Sequence, residues 1–316
     1  MPLVSVLMPM RNARPFVREA VRSVLSQAIG EVEVELLVLD DGSTDGSADV
    51  VRDVGGDRVR LLSGPAGGIA VALNRLLSDA RGDYAARCDA DDLYPPNRLA
   101  RQVAFLQARP DFIAACGSFS MLTHDGRPVA DMATGAVAEE ITAELRAGRT
   151  RTHLGTFLIR SPALRAAGGF RPYFRSAEDL DLQLRLGEAG RVWYDPAPAY
   201  AYRLHDASVT HRQATTARRY FEHAAREFQR QRLTSGTDDL QRGTPPPAPD
   251  DAAGASSPAA DHVQRLLVSA SWREHRGGDK RRALATGWRA AAARPTRFGA
   301  WKNLVALALK PAPRRP

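Results

Sequence analysis

The chain has 316 residues, 44% apolar and 25% charged, the balance of an ordinary soluble globular protein long enough for one or two domains. No apolar run approaches the ~18 residues a membrane helix needs, and "LVSVLMPM" at the start is too short, with no basic segment before it, for a signal peptide; a cytoplasmic protein is expected. The net charge of +8 is uneven: His262 to Pro316 holds three Lys and ten Arg against Glu274 and Asp279, a net +11 that leaves −3 for the rest. An enzyme acting on nucleic acid would gather positive charge around its cleft, so that class is set aside.

The first hundred residues alternate strand and helix signals. "LVSVLMPM" suits a strand buried on both faces, and "PFVREAVRSVLSQ" spaces Phe16, Val17, Ala20, Val21, Val24 and Leu25 for a helix opened by Pro15. "VEVELLVLDD" is a second strand ending in acids, "RVRLLSG" a third, "GIAVALNRLLSDA" a helix, and "YAARCDADD" a fourth strand before a helix from Asn97 to Arg109. Such alternation predicts an open α/β sheet of mostly parallel strands, which binds ligands beyond the carboxyl ends of its strands. Asp40 and Asp41 close the second strand and Asp89, Asp91 and Asp92 the fourth, so both acidic groups are expected at one sheet edge. Further strands are expected in "IAACGSFSML", "HLGTFLIR", "RVWYDP" and "AYAYRLH", and helices in "AEEITAELRAG", "AEDLDLQLRLGEAG" and "ARRYFEHAAREFQRQR".

The organisation expected is a catalytic domain over 1–232, with halves of about 1–110 and 111–210 and a closing helix 211–232. A Gly/Pro/Ala-rich flexible linker over 233–261 and a basic helical region over 262–316 follow. Cys88 and Cys116 read as buried reduced thiols, with no metal-type spacing.

Few phosphate or metal motifs are present. "DDGSTDGS" imitates a calcium loop, but Arg52 stands where a bidentate Glu is required. There is no P-loop and no dinucleotide fingerprint. The Gly67-Gly68 pair could bring backbone amides to a phosphate, or form a simple turn. Asp89-Ala90-Asp91-Asp92 suits a hard cation completed by substrate phosphates; as alternate residues of a strand, Asp89 and Asp91 share one face. Glu178, Asp179 and Asp181 open a helix, where acids also suit the positive helix end. Tyr202, Arg203, His205 and Ser208 follow a returning strand.

Together, "VSVLMPMRNARPFVREAVRSVLSQ", "LLVLDDGSTDGS", "GIAVALNRLLSDARGDYAARCDADD", "GGFRPYFRSAEDLDLQLRL" and "YRLHDAS" resemble, in order and spacing, the family 2 glycosyltransferases of GT-A fold. The resemblance covers residues 3 to 210 and implies an inverting, metal-dependent hexosyltransferase. It implies a UDP- or dTDP-sugar donor, a glycan or glycolipid acceptor, and Mn²⁺ or Mg²⁺ as cofactor. On it, Pro9, Arg11, Asp40, Asp41, Asn74, Asp89, Glu178 and Arg203 would meet the donor. Asp91, with Asp89 and His205, would meet the metal, and Asp179 would be the catalytic base. The Arg-Asn that often precedes the Asn74 helix in the family is replaced here by "SGPAGGIAVALN". Two rivals are a sugar nucleotidyltransferase and a non-catalytic nucleotide or glycan-binding module. The first commonly carries a glycine-rich basic stretch after strand one, and "PMRNARPF" has no glycine. The tail, with Trp272, Trp288, Phe298 and Trp301 among Arg and Lys, could either pack on the body or lie on a membrane surface.

Overall fold

In the computed structural model, residues 1–27, 30, 32–132, 135–205, 215–249 and 259–311 are described. They fall into two compact units. The first is Met1–Phe119, Met132–Tyr202 and Thr216–Asp251; the second is Ser120–Asp131, Arg203–Thr215 and Ala252–Pro316.

The first unit is built on strands β1 (Leu3–Met10), β2 (Glu33–Asp40), β3 (Val59–Ser63) and β4 (Tyr84–Arg87). These pair in parallel in the order β3-β2-β1-β4. Helices α1 (Val17–Leu25), α2 (Ser47–Gly55), α3 (Ile69–Asp79) and α4 (Arg98–Ala108) connect them onward. The sheet continues through β5 (Phe112–Leu122), β6 (Pro128–Met132), β7 (Glu139–Glu140), β8 (Leu158–Arg160) and β9 (Arg191–Arg203) in the order β4-β8-β5-β9-β7, with β6 on β5. Antiparallel β8 against β4 and β5 makes the second half mixed.

Alternation along β1 explains the two cores. Val4, Val6 and Met8 pack with Val17, Val21 and Val24 of α1 and Leu99, Val103 and Leu106 of α4. Leu7, on the other face, joins Leu73 and Leu76 of α3 and Leu182 and Leu186 of α7 (Glu178–Ala189), which follows the short helices α5 (Thr142–Arg146) and α6 (Ser161–Ala166). A sheet covered on both faces favours apolar residues at most positions of its strands, which is why these strands read as largely apolar runs; the exceptions are satisfied, Ser5 by Glu35 and Arg87 by Asp89 and Glu178.

Three features differ from the sequence reading. The two closing strands are one, β9, running through Pro196 and Pro198. Gly117 of β5 makes this possible, since a Cβ there would lie 2.7 Å from the Ala197 carbonyl oxygen. "HLGTFLIR" is a turn, Leu154–Thr156, followed by the three-residue β8. Residues 236–249, placed by composition in a flexible linker, are held against α8 (Thr215–Ser235). Asp238, fully buried, meets Arg171 and Arg232 at 2.5 Å each, and the Tyr173 and Tyr220 hydroxyls donate to the carbonyls of Pro246 and Pro247. Paired buried charge outweighs the disorder-like composition there. Cys88 and Cys116 are buried free thiols whose pKa values are pushed up by burial.

In the second unit the end of β5 turns at residues 123–127 into β6, with the Thr123 N–H on the Arg127 carbonyl. Helices α9 (Ala259–Arg276), α10 (Lys280–Ala293) and α11 (Phe298–Leu309) follow, broken at Gly277-Gly278 and around Pro295 as their sequence dictates.

Candidate active site

Register places the acids. Met10 pairs with Asp40, Asp40 with Ser63, and Leu7 with Arg87, so residues 9–12, 40–41 and 88–92 all emerge at the carboxyl edge of the parallel strands. The first two loops are laced together. The Asn12 N–H donates to Ser43 Oγ at 2.9 Å, and Asn12 Oδ1 accepts from the Thr44 N–H at 2.8 Å. Asp40 Oδ1 accepts from the Ser43 N–H at 2.8 Å. Asp41 is buried and accepts from the N–H groups of Gly67 and Gly68 at 3.1 and 2.9 Å. Those two amides, readable from sequence as a phosphate cradle, are therefore committed to a carboxylate. Pro9 is half-buried and Arg11 exposed at the same edge.

β4 stops at Arg87, and 88–92 is a turn closed by the Asp92 N–H on the Asp89 carbonyl at 3.1 Å. Strand alternation therefore does not relate Asp89 to Asp91. The Asp89 N–H instead donates to the Tyr200 hydroxyl of β9 at 3.0 Å. Asp89, expected near metal or ribose, has both oxygens on Arg87: Nε to Oδ1 at 2.7 Å and Nη2 to Oδ2 at 3.0 Å. Arg87 Nη1 reaches Glu178 Oε1 at 3.0 Å, a contact spanning 91 positions of sequence. Arg87 is 7% exposed; burial opposes its charge, and the Asp89 and Glu178 carboxylates more than restore it. A buried guanidinium forked between two carboxylates is a rigid link between the β4 turn and the start of α7. Replacing it, as in Arg87→Met, leaves two carboxylates without their countercharge, and a loss of about 3 kcal/mol in urea unfolding is expected. A loss below about 1 kcal/mol, within the range of an exposed pair, would show the link to be dispensable.

At the start of α7 the three acids have different surroundings. Glu178 is buried, and burial pushes its carboxyl up to about 7 against the pull of Arg87, with the neighbouring charge of Asp179 raising it further. Asp179 is half-exposed, with Oδ1 on the Leu180 N–H at 2.8 Å. Asp181 is fully buried and pairs with Arg185 and Arg171, so it belongs to the core. The loop leading to α7 is fixed by Asn74, whose amide donates to the Phe170 carbonyl and accepts from the Phe170 N–H. Asn74, expected among the donor contacts, thus holds backbone. Gly169, at φ +60°, is needed beside it: a Cβ would lie 2.6 Å from Asn74 Oδ1.

Two site residues escaped the sequence reading. Arg87 was one, although a charged residue in an otherwise apolar strand was the signal. The other is His153, half-buried beside Tyr200 and Tyr202 at ring distances of 5.4 and 5.7 Å. Its Nδ1 accepts from the Gly155 N–H at 3.1 Å, which leaves Nε2 as the protonated nitrogen of the neutral ring. Burial lowers its pKa, while the charges of Asp179 and Asp89 act in the other direction. Its turn is anchored by the fully buried Arg98, which donates to the Gly155 and Phe157 carbonyls.

Arg203 and His205 belong to the second unit; both are buried, and Arg203 donates to the His124 carbonyl at 2.8 Å. Ser208 lies outside the described residues. Among the described residues no three His, Cys, Asp or Glu side chains gather as a metal cluster. The donor set at the β4 turn, half-buried Asp91 beside an Asp89 already engaged by Arg87, fits a hard cation that takes one or two carboxylates and completes its shell with ligand phosphates.

Residues 5–180 match the profile of glycosyl transferase family 2. The chain belongs to that family, and it is a glycosyltransferase. EpsE of Bacillus subtilis (strain 168) is 33% identical to this family 2 enzyme over 221 residues, covering 68% of this chain and 77% of that protein. Chondroitin synthase of Pasteurella multocida (strain Pm70) is 30% identical over 240 residues, 74% of this chain but 24% of its own length. This enzyme thus spans about a quarter of that synthase. Among solved structures, Staphylococcus aureus TarS 1–349 in complex with UDP superposes with a TM-score of 0.57 at 17% identity, covering 98% of this chain and 81% of that one. The mannosyltransferase PcManGT from Pyrobaculum calidifontis, in complex with GDP-Man and Mn²⁺, gives 0.55 at 21% identity, covering 98% and 86%. At these identities the likeness is one of fold, and both the doubly covered sheet and the C-terminal helices of this glycosyltransferase fall within it.

Proposed function

We propose that this glycosyltransferase moves a sugar from a UDP- or dTDP-sugar to a hydroxyl of a glycan or glycolipid, with inversion, in cell-surface polysaccharide or glycolipid synthesis. The observation that carries the reading is the Arg87 link, which ties the acids at the strand edge to the acids opening α7. Two groups of carboxylates joined through one guanidinium suit two tasks, one beside a diphosphate and one beside an acceptor. Support for a polysaccharide role comes from the relatives named chondroitin synthase and hyaluronan synthase.

In this reading Asp40 and Asp41, with Pro9 and Arg11, border the nucleotide. Asp91 would hold Mn²⁺ or Mg²⁺, and Asp89, with both oxygens on Arg87, would lie towards the ribose. When bound, the cation neutralises charge growing on the departing diphosphate. Asp179, the half-exposed acid, takes the proton from the acceptor hydroxyl. The acceptor oxygen bonds to the anomeric carbon as the bond from that carbon to the phosphate oxygen breaks, and the diphosphate leaves with the electron pair. One displacement inverts the centre. The Tyr200 hydroxyl, which accepts from the Asp89 N–H, holds the turn after β4 in place, with the His153 ring packed beside Tyr200.

The test is thermal denaturation against UDP-, dTDP- and GDP-sugars with and without Mn²⁺, because a ligand that binds the folded state raises the melting temperature. A shift with one class of nucleotide-sugar, larger with Mn²⁺, is expected. No shift with any of them would remove the donor assignment.

A further inference from the structure

No helix among the described residues is long and apolar enough to cross a membrane. The helices of the second unit nevertheless present an apolar face to solvent. Of the seven large apolar side chains exposed among the described residues, four lie here: Trp288 at 57%, Phe298 at 70%, Val305 at 57% and Leu309 at 79%. Along α11, Phe298, Trp301, Val305 and Leu309 recur every three or four residues and so share one side, opposite the buried Ala300 and Leu307. Trp288 extends that side onto α10, its ring meeting Trp301 edge-on at 5.5 Å. The helices already have a core on their other sides: Gly287 lets Leu304 and Leu307 approach α10, and Gln264 donates to the Ala290 carbonyl. Trp272 belongs to that interior, bonded to Asn303 and covered by Lys310.

Charge completes the pattern. The acids of these helices are turned onto their own chain: Glu274 pairs with Arg282, Asp261 with Arg294 and Arg297, and Asp279 caps α10. Exposed Arg281, Arg289 and Lys302 lie on the same two helices as the apolar face, Arg289 donating to the Pro128 carbonyl and Lys302 over the Phe298 ring at 5.3 Å. A second protein of mixed charge would need acids and shape to match; a surface of anionic headgroups over acyl chains needs only what is present, aromatics flanked by cations.

We propose that the face formed by Trp288, Phe298, Trp301, Val305 and Leu309 docks on an anionic lipid surface as a peripheral contact. The docking is read without any donor, so its outcome is separate from that of the transfer reaction. The experiment is sedimentation of the full chain with vesicles of phosphatidylcholine alone or mixed with phosphatidylglycerol, at low and high salt. Co-sedimentation with the mixed vesicles at low salt is expected, weakening about tenfold at high salt as screening grows. The double variant Trp288→Ser, Phe298→Ser changes exposed positions only; it should melt as the parent does and bind the mixed vesicles about tenfold less. Failure of the parent to pellet with the mixed vesicles, or equal binding by the variant, overturns the proposal. A parent dimer in sedimentation equilibrium that the variant converts to monomer overturns it too, and assigns the face to a second copy of this chain.

Discussion

Asp91→Asn should reduce sugar transfer by roughly 10²-fold or more while leaving the fold intact, since the loss is of charge stabilisation at the leaving diphosphate. The side chain is half-buried at the turn after β4, beside an Asp89 whose oxygens are both engaged by Arg87. On the proposed function, Asp91 is the carboxylate that would meet a cation and the phosphates together. The signature is a difference between conditions. Affinity for the nucleoside diphosphate should fall in Mn²⁺ but be nearly unchanged in chelator, because Asn removes the charge that holds the ion and little else. Calorimetric titration under both conditions checks this. Equal metal dependence in variant and parent would move the cation elsewhere.

Asp179→Asn should leave donor and metal affinity nearly intact while kcat falls by ~10²-fold or more. Glu178→Gln is the contrast. Glu178 is buried, its carboxyl is pushed up by that burial, and it faces Arg87; Gln keeps the shape and an acceptor oxygen for Nη1. Its effect on kcat near neutrality should stay within roughly threefold, the scale of one retained hydrogen bond. Steady-state kinetics on both variants separates the adjacent acids. If Glu178→Gln loses as much as Asp179→Asn, or if Asp179→Asn keeps more than about half of parental kcat, the base is not Asp179.

Local signals carried the donor half of the fold. The runs "LVSVLMPM" and "ELLVLDD" had to be strands buried on both faces, and parallel pairing then put Asp40, Asp41 and the 89–92 acids at one edge without further information. What the sequence did not disclose depends on distant partners. Arg87 acquires its meaning only through Glu178, and His153 only through Tyr200 and Tyr202. Asn74 sits on a predicted helix, but its bond to Phe170 is set by how the loop before α7 returns. The Pro-rich segment after α8 had the composition of a linker and became ordered through one buried aspartate, Asp238, shared by Arg171 and Arg232. The turn at 88–92 shows the reverse error, since the strand expected over 84–92 ends five residues earlier, at Arg87.

The central claim is that the anomeric carbon-to-phosphate bond of a nucleotide-sugar is the one broken. It is tested most directly by ³¹P NMR of the full chain incubated with UDP-, dTDP- and GDP-sugars and Mn²⁺, with water or added glycan as acceptor. The account predicts that one donor is converted to its nucleoside diphosphate, with no other phosphorus product, and that chelator stops the conversion. Release of nucleoside monophosphate and sugar phosphate, or formation of a nucleoside triphosphate when pyrophosphate is added, would mean that the bond between the phosphates is broken, contradicting the account.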